Sequence, residues 1–253
     1  MGKVIAVTNQ KGGVGKTTTA LNLSASLTEK GKRVLAVDVD PQGNMTSGFG
    51  VNKNELEKTI YDLIIGNAAI EDVILKNVYK RMNLIPSNVD LSAAEIELID
   101  AKNKEYILRE SLKEIKYGYD YVIIDCPPAL SMLTINALTT ADSVLVPIQC
   151  EYYALEGLSQ LIHTVELVKE RLNPDLGIEG VVFTMFDGRT NLSAQVVENV
   201  KENLNQKAFN TVIPRNIRLA ESPSYGMPIT QYDSKSPGAE AYRKLAKEII
   251  RGA

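Results

Sequence analysis

Short blocks of consecutive apolar residues recur along the chain, each closed by a polar or charged residue and followed by a longer stretch of mixed character. Val4-Ile5-Ala6-Val7, Val34-Leu35-Ala36-Val37, Leu84-Ile85, Tyr121-Val122-Ile123-Ile124, Val144-Leu145-Val146 and Gly180-Val181-Val182-Phe183 are such blocks. Blocks without polar alternation predict strands covered on both faces, as in a parallel sheet. Between them, apolar positions at helical spacing predict helices over Thr17–Leu27, Lys104–Ile115, Leu155–Arg171, Leu192–Leu204 and Ala239–Ile250. The alternation predicts an α/β fold, a mostly parallel twisted sheet with helices on both faces. No internal repeat, Pro/Gly/Ser-rich linker or charge block interrupts the pattern, so residues 1–253 are expected to form a single domain.

In such a sheet, ligands bind at the carboxyl ends of the strands, and the chemically informative residues do follow the apolar blocks. After the first comes Asn9-Gln-Lys-Gly-Gly-Val-Gly-Lys-Thr-Thr-Thr19. Gly15-Lys16-Thr17 ends a phosphate-cradling loop of the form G-x-x-x-x-G-K-[ST], but Gln10 stands where its leading glycine would fall, and Lys11 adds a second lysine. From Lys11 to Thr18 the backbone N–H groups and a helix N-terminus can face a polyphosphate, with Gly12, Gly13 and Gly15 permitting close approach. Lys16 would bridge terminal phosphates and the Thr17 hydroxyl would hold Mg²⁺. Asp125, closing the fourth block, places a carboxylate beside that metal, with a helix cap as the alternative role. Asp38 and Asp40 close the second block two residues apart, hence on one face of a strand. One could orient water or the metal shell while the other fixes the loop.

Composition bears on partners and compartment. With 44% hydrophobic and 23% charged residues the chain has ordinary globular character. No apolar run approaches the roughly 18–20 residues of a membrane span, and no signal pattern precedes the first block, so a cytoplasmic protein is expected. Cys126 and Cys150 are too few for a disulfide framework or a zinc site and read as small core residues. A net charge of -3 speaks against a nucleic-acid binder, yet residues 1–188 hold 18 Lys+Arg against 25 Asp+Glu while residues 189–253 hold 10 against 6. Arg189 and Arg218 lie in that basic last quarter. His163, the single histidine, falls in an amphipathic helix and is expected to have no catalytic part. Tyr152 and Tyr153 could pack at a dimer face or simply fill a core.

Lys11-Gly-Gly-Val-Gly-Lys16-Thr17, Asp38-Val-Asp40-Pro-Gln-Gly43, Asp125-Cys-Pro-Pro128, Pro214-Arg215-Asn216 and Glu221-Ser-Pro-Ser-Tyr-Gly226 together resemble the deviant Walker A family of P-loop NTPases, specifically its ParA/Soj type. The resemblance implies a slow, partner-stimulated ATPase with ATP and Mg²⁺ as cofactors, acting in chromosome or plasmid partitioning. It implies a sandwich homodimer formed on ATP binding, in which Lys11 touches phosphates bound by the other chain and Gly12 lies at the closest approach. Lys11, Lys16 and Asp40 would be catalytic, Asp40 by activating water. The nucleotide would be held by Lys11, Gly12, Gly13, Val14, Gly15, Lys16, Thr17 and Thr18, with Pro214 and Asn216 at the adenine. Thr17 and Asp125 would serve the metal, the latter through its water shell.

The resemblance further implies non-specific double-stranded DNA bound through Arg189 and Arg218, and a ParB-type partner with a basic N-terminal peptide. Replication-initiation machinery would be a further partner, and the protein would be nucleoid-associated. Lys3 already begins the first strand, so no helix-turn-helix domain is expected ahead of the ATPase. A MinD-like membrane-cycling ATPase shares these motifs but needs an amphipathic tail, and only Arg251-Gly252-Ala253 follows the last predicted helix. An electron-transfer protein resembling the nitrogenase iron protein would share a cluster through two cysteines per chain. Cys126, directly after Asp125, suits a nucleotide site better.

Overall fold

The computed structural model describes residues 2–151, 154–203 and 207–252. Its strands are β1 (Lys3–Val7), β2 (Val34–Asp38), β3 (Leu75–Tyr79), β4 (Met82–Ile85), β5 (Tyr121–Asp125), β6 (Ser143–Gln149), β7 (Gly177–Phe186) and β8 (Ala208–Pro214). They form one sheet in the order β3-β4-β2-β5-β1-β6-β7-β8. Every neighbouring pair is parallel except β3 with β4. β1 lies between β5 and β6, while the chain leaves β1 for β2 on one side and β5 for β6 on the other. The loop after β1 therefore opens at a topological switch point, where α/β sheets place ligands.

The period of two sorts the strands between two cores. Val4, Ala6, Leu35, Val37, Val122 and Ile124 face one cluster. Ile5, Val7, Val34, Ala36 and Ile123 face the other, which is completed by Leu21, Leu23 and Leu27 of the helix Lys16–Glu29 and by Tyr242, Leu245 and Ile249 of the helix Pro237–Arg251. The helices Ala154–Arg171 and Asn191–Asn203 agree with the periodicity, Leu204 lying outside the described residues.

Lys104–Ile115 departs from expectation. A 3₁₀ turn at Lys104–Tyr106 precedes a short α-helix, Ile107–Leu112, and a second 3₁₀ turn covers Ile115–Gly118. The cause is a neighbour, the helix Met132–Thr140, which periodicity did not single out. Asn136 donates to Lys104 O at 2.7 Å and accepts from Leu108 N at 3.1 Å, and Thr139 donates to Glu105 O at 2.5 Å. These side chains bond the backbone groups that a continuous helix would have paired with one another.

β3 and β8 were also unanticipated, and both are edges. β3 carries exposed Lys76 and Asn77, with Asn77 at φ 55 and an irregular register against β4, features that discourage further pairing. β8 buries Phe209, Thr211 and Ile213 and exposes Asn210, the alternation of a half-covered strand. Its outer backbone is closed by Glu248 of the C-terminal helix, whose carboxylate accepts from Asn210 N and Thr211 N, each at 2.9 Å, and from the Thr211 hydroxyl. Among the described residues no helix is long and apolar enough to cross a membrane.

Glu248→Ala leaves these donors without a partner and should destabilise the fold by about 1–3 kcal/mol, with Glu248→Gln costing less. Urea unfolding measures it, and an unchanged midpoint would show that water replaces the carboxylate at no cost.

Candidate functional site

The loop after β1 is built by local hydrogen bonds. Asn9, buried, donates to Pro147 O at 2.8 Å and accepts from Lys11 N at 3.0 Å, tying the loop to β6. Gln10 donates to Thr164 at 2.9 Å, so the position where a glycine was expected anchors the loop to the helix Ala154–Arg171. Gly13 at φ 73 and Gly15 at φ 85 take left-handed conformations that other residues adopt only under strain. Thr184 of β7 braces the turn by donating to Val14 O at 2.8 Å. Among the described residues no side chain caps the helix Lys16–Glu29, which leaves its first N–H groups to meet an anion.

Two adjoining cavities open around the loop, sharing Gly15, Thr18 and Met185. One, about 370 Å³, is polar and lined by Gly12, Gly13, Lys16, Thr17, Asp40, Gln42, Asn44 and Pro128. The other, about 290 Å³, is mostly apolar and lined by Thr184, Ile213, Pro214, Asn216, Leu219 and Tyr242. A polar cradle continuous with an apolar slot suits a ligand with a charged end and a flat apolar end.

The expected carboxylates divide by role. Asp38 accepts from Thr46 N at 2.8 Å, from the Thr46 hydroxyl at 2.7 Å and from Asp40 N at 3.2 Å, so it organises the turn. Burial pushes its pKa up to about 6 despite those bonds. Asp40, two residues beyond the strand end, lines the polar cavity, while its carbonyl is held by the Ser87 hydroxyl at 2.8 Å. Asp125 stands level with Val7 and Asp38 across the sheet. It is wholly buried and, among the described residues, neither oxygen has a hydrogen-bond partner. It therefore caps no helix. Burial, then Asp38 and Asp40, raise its pKa well above the ordinary range, while the Thr17 hydroxyl and the Lys16 ammonium favour the charged form. An orphaned buried carboxylate beside a hydroxyl and a polar cavity fits a hydrated divalent cation. Among the described residues no cluster of three or more His, Cys, Asp or Glu could hold a metal by itself.

The two lysines also diverge. Lys16 is buried and its ammonium donates to Lys11 O at 2.9 Å. Burial lowers its pKa, opposed by Asp125 and Asp40. Lys11 points elsewhere and ion-pairs with Glu151 at 2.9 Å on the surface. Val14 contributes backbone only, its side chain lying in the core.

Other sequence candidates fall outside the site. Arg189 is clamped by its neighbour Asp187, at 2.9 Å from Nε and 2.7 Å from Nη2. Arg218 pairs with Glu221 at 3.1 Å and Asp233 at 3.6 Å and lies over the Tyr232 ring. Both are exposed, as expected, but neither charge is free, because counting charge along a sequence does not count partners. Cys126 and Cys150 are buried, and burial raises both thiols, Cys150 to about 11. Both sit as small core residues, the role expected of them from the sequence. His163 is exposed on its helix, and Tyr152 and Tyr153 lie outside the described residues. Thr46, Ser87, Thr184, Met185 and Tyr242 were missed. Only Thr184 and Met185, which follow the block Gly180-Val181-Val182-Phe183, carried a positional signal.

Residues 2–178 match the AAA domain family. The chain is 56% identical to the sporulation initiation inhibitor protein Soj of Bacillus subtilis over 98% of each chain. It is 50% identical to the chromosome partitioning protein ParA of Myxococcus xanthus, over 99% of this chain and 89% of that one. Among solved structures it resembles a cobyrinic acid a,c-diamide synthase from Mycobacterium smegmatis with bound ADP and magnesium, at a TM-score of 0.88 and 38% identity, covering 99% of this chain and 95% of that one.

Because burial raises the folded-state pKa of Asp38 to about 6 and of Asp125 well above the ordinary range, the folded state binds more protons than the unfolded chain. Without Mg²⁺, unfolding free energy should therefore rise as the pH falls through about 6 toward the ordinary carboxylate range. Asp125→Asn should raise stability at neutral pH by about 1–3 kcal/mol and flatten that slope, while weakening Mg²⁺-dependent nucleotide binding. Thermal unfolding against pH tests this, and a variant less stable than the parent would show that the carboxylate is well paired.

Proposed function

The chain belongs to the Soj and ParA family of P-loop ATPases, and on that premise we propose that it is a single-domain ATPase whose ATP-bound form pairs as a sandwich dimer. The dimer holds double-stranded DNA without reading bases and releases it on hydrolysis, in chromosome or plasmid partitioning.

The observation that carries this reading is the division between Lys11 and Lys16. Lys16 lines the polar cavity and would bridge terminal phosphates there. Lys11 does not line that cavity and is held by an exposed ion pair, a contact worth only about 0–1 kcal/mol. It is free to exchange Glu151 for phosphates bound by a second copy. Gly12 supports the same geometry. Among the described residues an added Cβ there meets nothing within 4 Å, so no contact within the chain demands a glycine, whereas close approach of another chain would.

Asp40 lines the polar cavity and would orient the attacking water and accept its proton. Thr17 and Asp125 fit the Mg²⁺ coordination and its water shell, and the ion when bound supplies charge neutralisation on the phosphates. The apolar cavity beside Pro214 suits adenine. The Asn216 oxygen accepts from Leu219 N at 3.1 Å, leaving its amide hydrogens for the base. On the DNA face, phosphates must displace Asp187 and Glu221 from Arg189 and Arg218, so a monomer binds weakly. A dimer doubles the contacts on one rigid surface, and each phosphate neutralised adds roughly 0.9 to the salt slope. A ParB-type protein with a basic N-terminal peptide is the proposed stimulator, replication-initiation machinery a further partner, and the nucleoid the site of action.

Two other readings fare worse. For membrane cycling, the helix Pro237–Arg251 is no spare anchor, since Ala239, Tyr242, Leu245 and Ile249 are buried in the core. An amide synthase making its own ammonia needs a thiolate beside a base. Here both cysteines are buried thiols and the single histidine is exposed on a helix.

Co-sedimentation with DNA in ADP, ATP and a slowly hydrolysed ATP analogue tests the proposal. The parent should bind only in the ATP states. Gly12→Val should bind ATP as a monomer and miss DNA. Asp40→Ala should stay on DNA with turnover reduced about 10²–10⁴-fold. Arg189→Glu and Arg218→Glu should dimerise yet fail to bind. Equal DNA binding in ADP and ATP would overturn the reading.

A further inference from the structure

The short helix Leu91–Glu97 and the turn after it carry two apolar faces. Leu91, Ala94 and Leu98 point inward and are buried. Val89, Ile96 and Ile99 lie at helical spacing on the opposite side and are 69%, 73% and 59% exposed. The turns at both ends are regular, with Ser92 N donating to Val89 O at 3.1 Å and Ile99 N to Ile96 O at 3.2 Å. The three aliphatic side chains therefore form one stripe. A helix apolar on both sides is expected to be covered on both.

Charge around the stripe selects what covers it. Asp90, Glu95, Glu97 and Asp100 flank it and are exposed. Glu97 accepts a hydrogen bond from Tyr61 at 2.8 Å and Asp90 accepts from Asn88 at 2.9 Å, contacts that leave the carboxylate charge in place. A second copy docked on this face by two-fold symmetry would set these acids against their own counterparts. A basic amphipathic helix complements both the apolar stripe and its acidic margins.

The stripe is also mechanically close to the site. Two residues before Val89, Ser87 donates its hydroxyl to Asp40 O at 2.8 Å, and its N–H donates to the Thr46 hydroxyl at 2.9 Å. Thr46 in turn donates to Asp38. A ligand that shifts or stiffens the Val89–Ile99 segment acts directly on the turn that carries Asp40.

We propose that the exposed face formed by Val89, Ile96 and Ile99 is the docking surface for a basic amphipathic segment of a partner protein, and that Ser87 transmits its occupancy to Asp40. This rests on the proposal that a ParB-type partner stimulates turnover through a basic N-terminal peptide, which serves as the probe. Ile96→Glu and Ile99→Glu alter exposed positions outside the nucleotide site, so basal ATPase activity and nucleotide affinity should match the parent.

Fluorescence anisotropy of the labelled peptide should show affinity reduced at least about tenfold in each variant, with stimulation of turnover lost in parallel. The double variant Glu95→Lys with Glu97→Lys should weaken binding and flatten its salt dependence. Ser87→Ala should keep peptide binding but lose much of the stimulation. If the peptide binds and stimulates the parent and the Ile96 and Ile99 variants alike, the docking surface is wrong while the partner reading survives. If full-length partner leaves turnover of the parent unchanged, the partner reading itself fails and takes this assignment with it. Loss of ATP-dependent dimerisation in Ile96→Glu with stimulation intact would assign the stripe to a second copy and overturn the proposal.

Discussion

Three carboxylates, Asp38, Asp40 and Asp125, and one ammonium, Lys16, are gathered at the carboxyl ends of the central strands with almost no contact with water. Ionised carboxylates in such a place are costly unless a partner neutralises them. Thr46 serves Asp38 and the Gln42 N–H serves Asp40, but among the described residues Asp125 has no hydrogen-bond partner. Burial lowers the pKa of Lys16 while the same acids raise it. The arrangement is an electrostatic deficit that a hydrated divalent cation, brought with a polyphosphate, would relieve. Binding and stability are thereby linked through one residue.

Around that deficit the sheet provides fixed geometry. Asp38 and Asp125 are adjacent because β2 and β5 pair in register, and the loop after β1 reaches them because β1 pairs with β5 on its other side. Thr184 holds the loop from β7, and Asn9 holds it from its own root to β6. The nucleotide cradle therefore depends on long-range pairing among strands distant in sequence. Its two lysines are separated by the same framework, one drawn under the loop and one turned out to Glu151.

Much of this was legible beforehand. Strands buried on both faces announce themselves as unbroken apolar blocks, so β1, β2, β4, β5, β6 and β7 could be read directly. Edge strands cannot be read this way, since Lys76 and Asn77 in β3 or Asn210 in β8 break the apolar run where one face meets water. Lys104–Ile115 has helical spacing, yet Asn136 and Thr139 from another helix bond its backbone. Periodicity reports which face is apolar, not who competes for the N–H groups.

For the site the division is similar. Residue type and spacing along one short segment determine the phosphate loop, since glycines, Lys16 and Thr17 act through local backbone geometry and a helix N-terminus. They also determine that acids stand at strand ends. Only the tertiary structure decided which of two neighbouring acids faces the cavity, that Asp125 is unpaired, and that Arg189 and Arg218 are already engaged by carboxylates. Those facts are differences in burial and partnership between groups far apart in sequence or turned by a bend. A linear string carries the charge of each residue but not what lies opposite it.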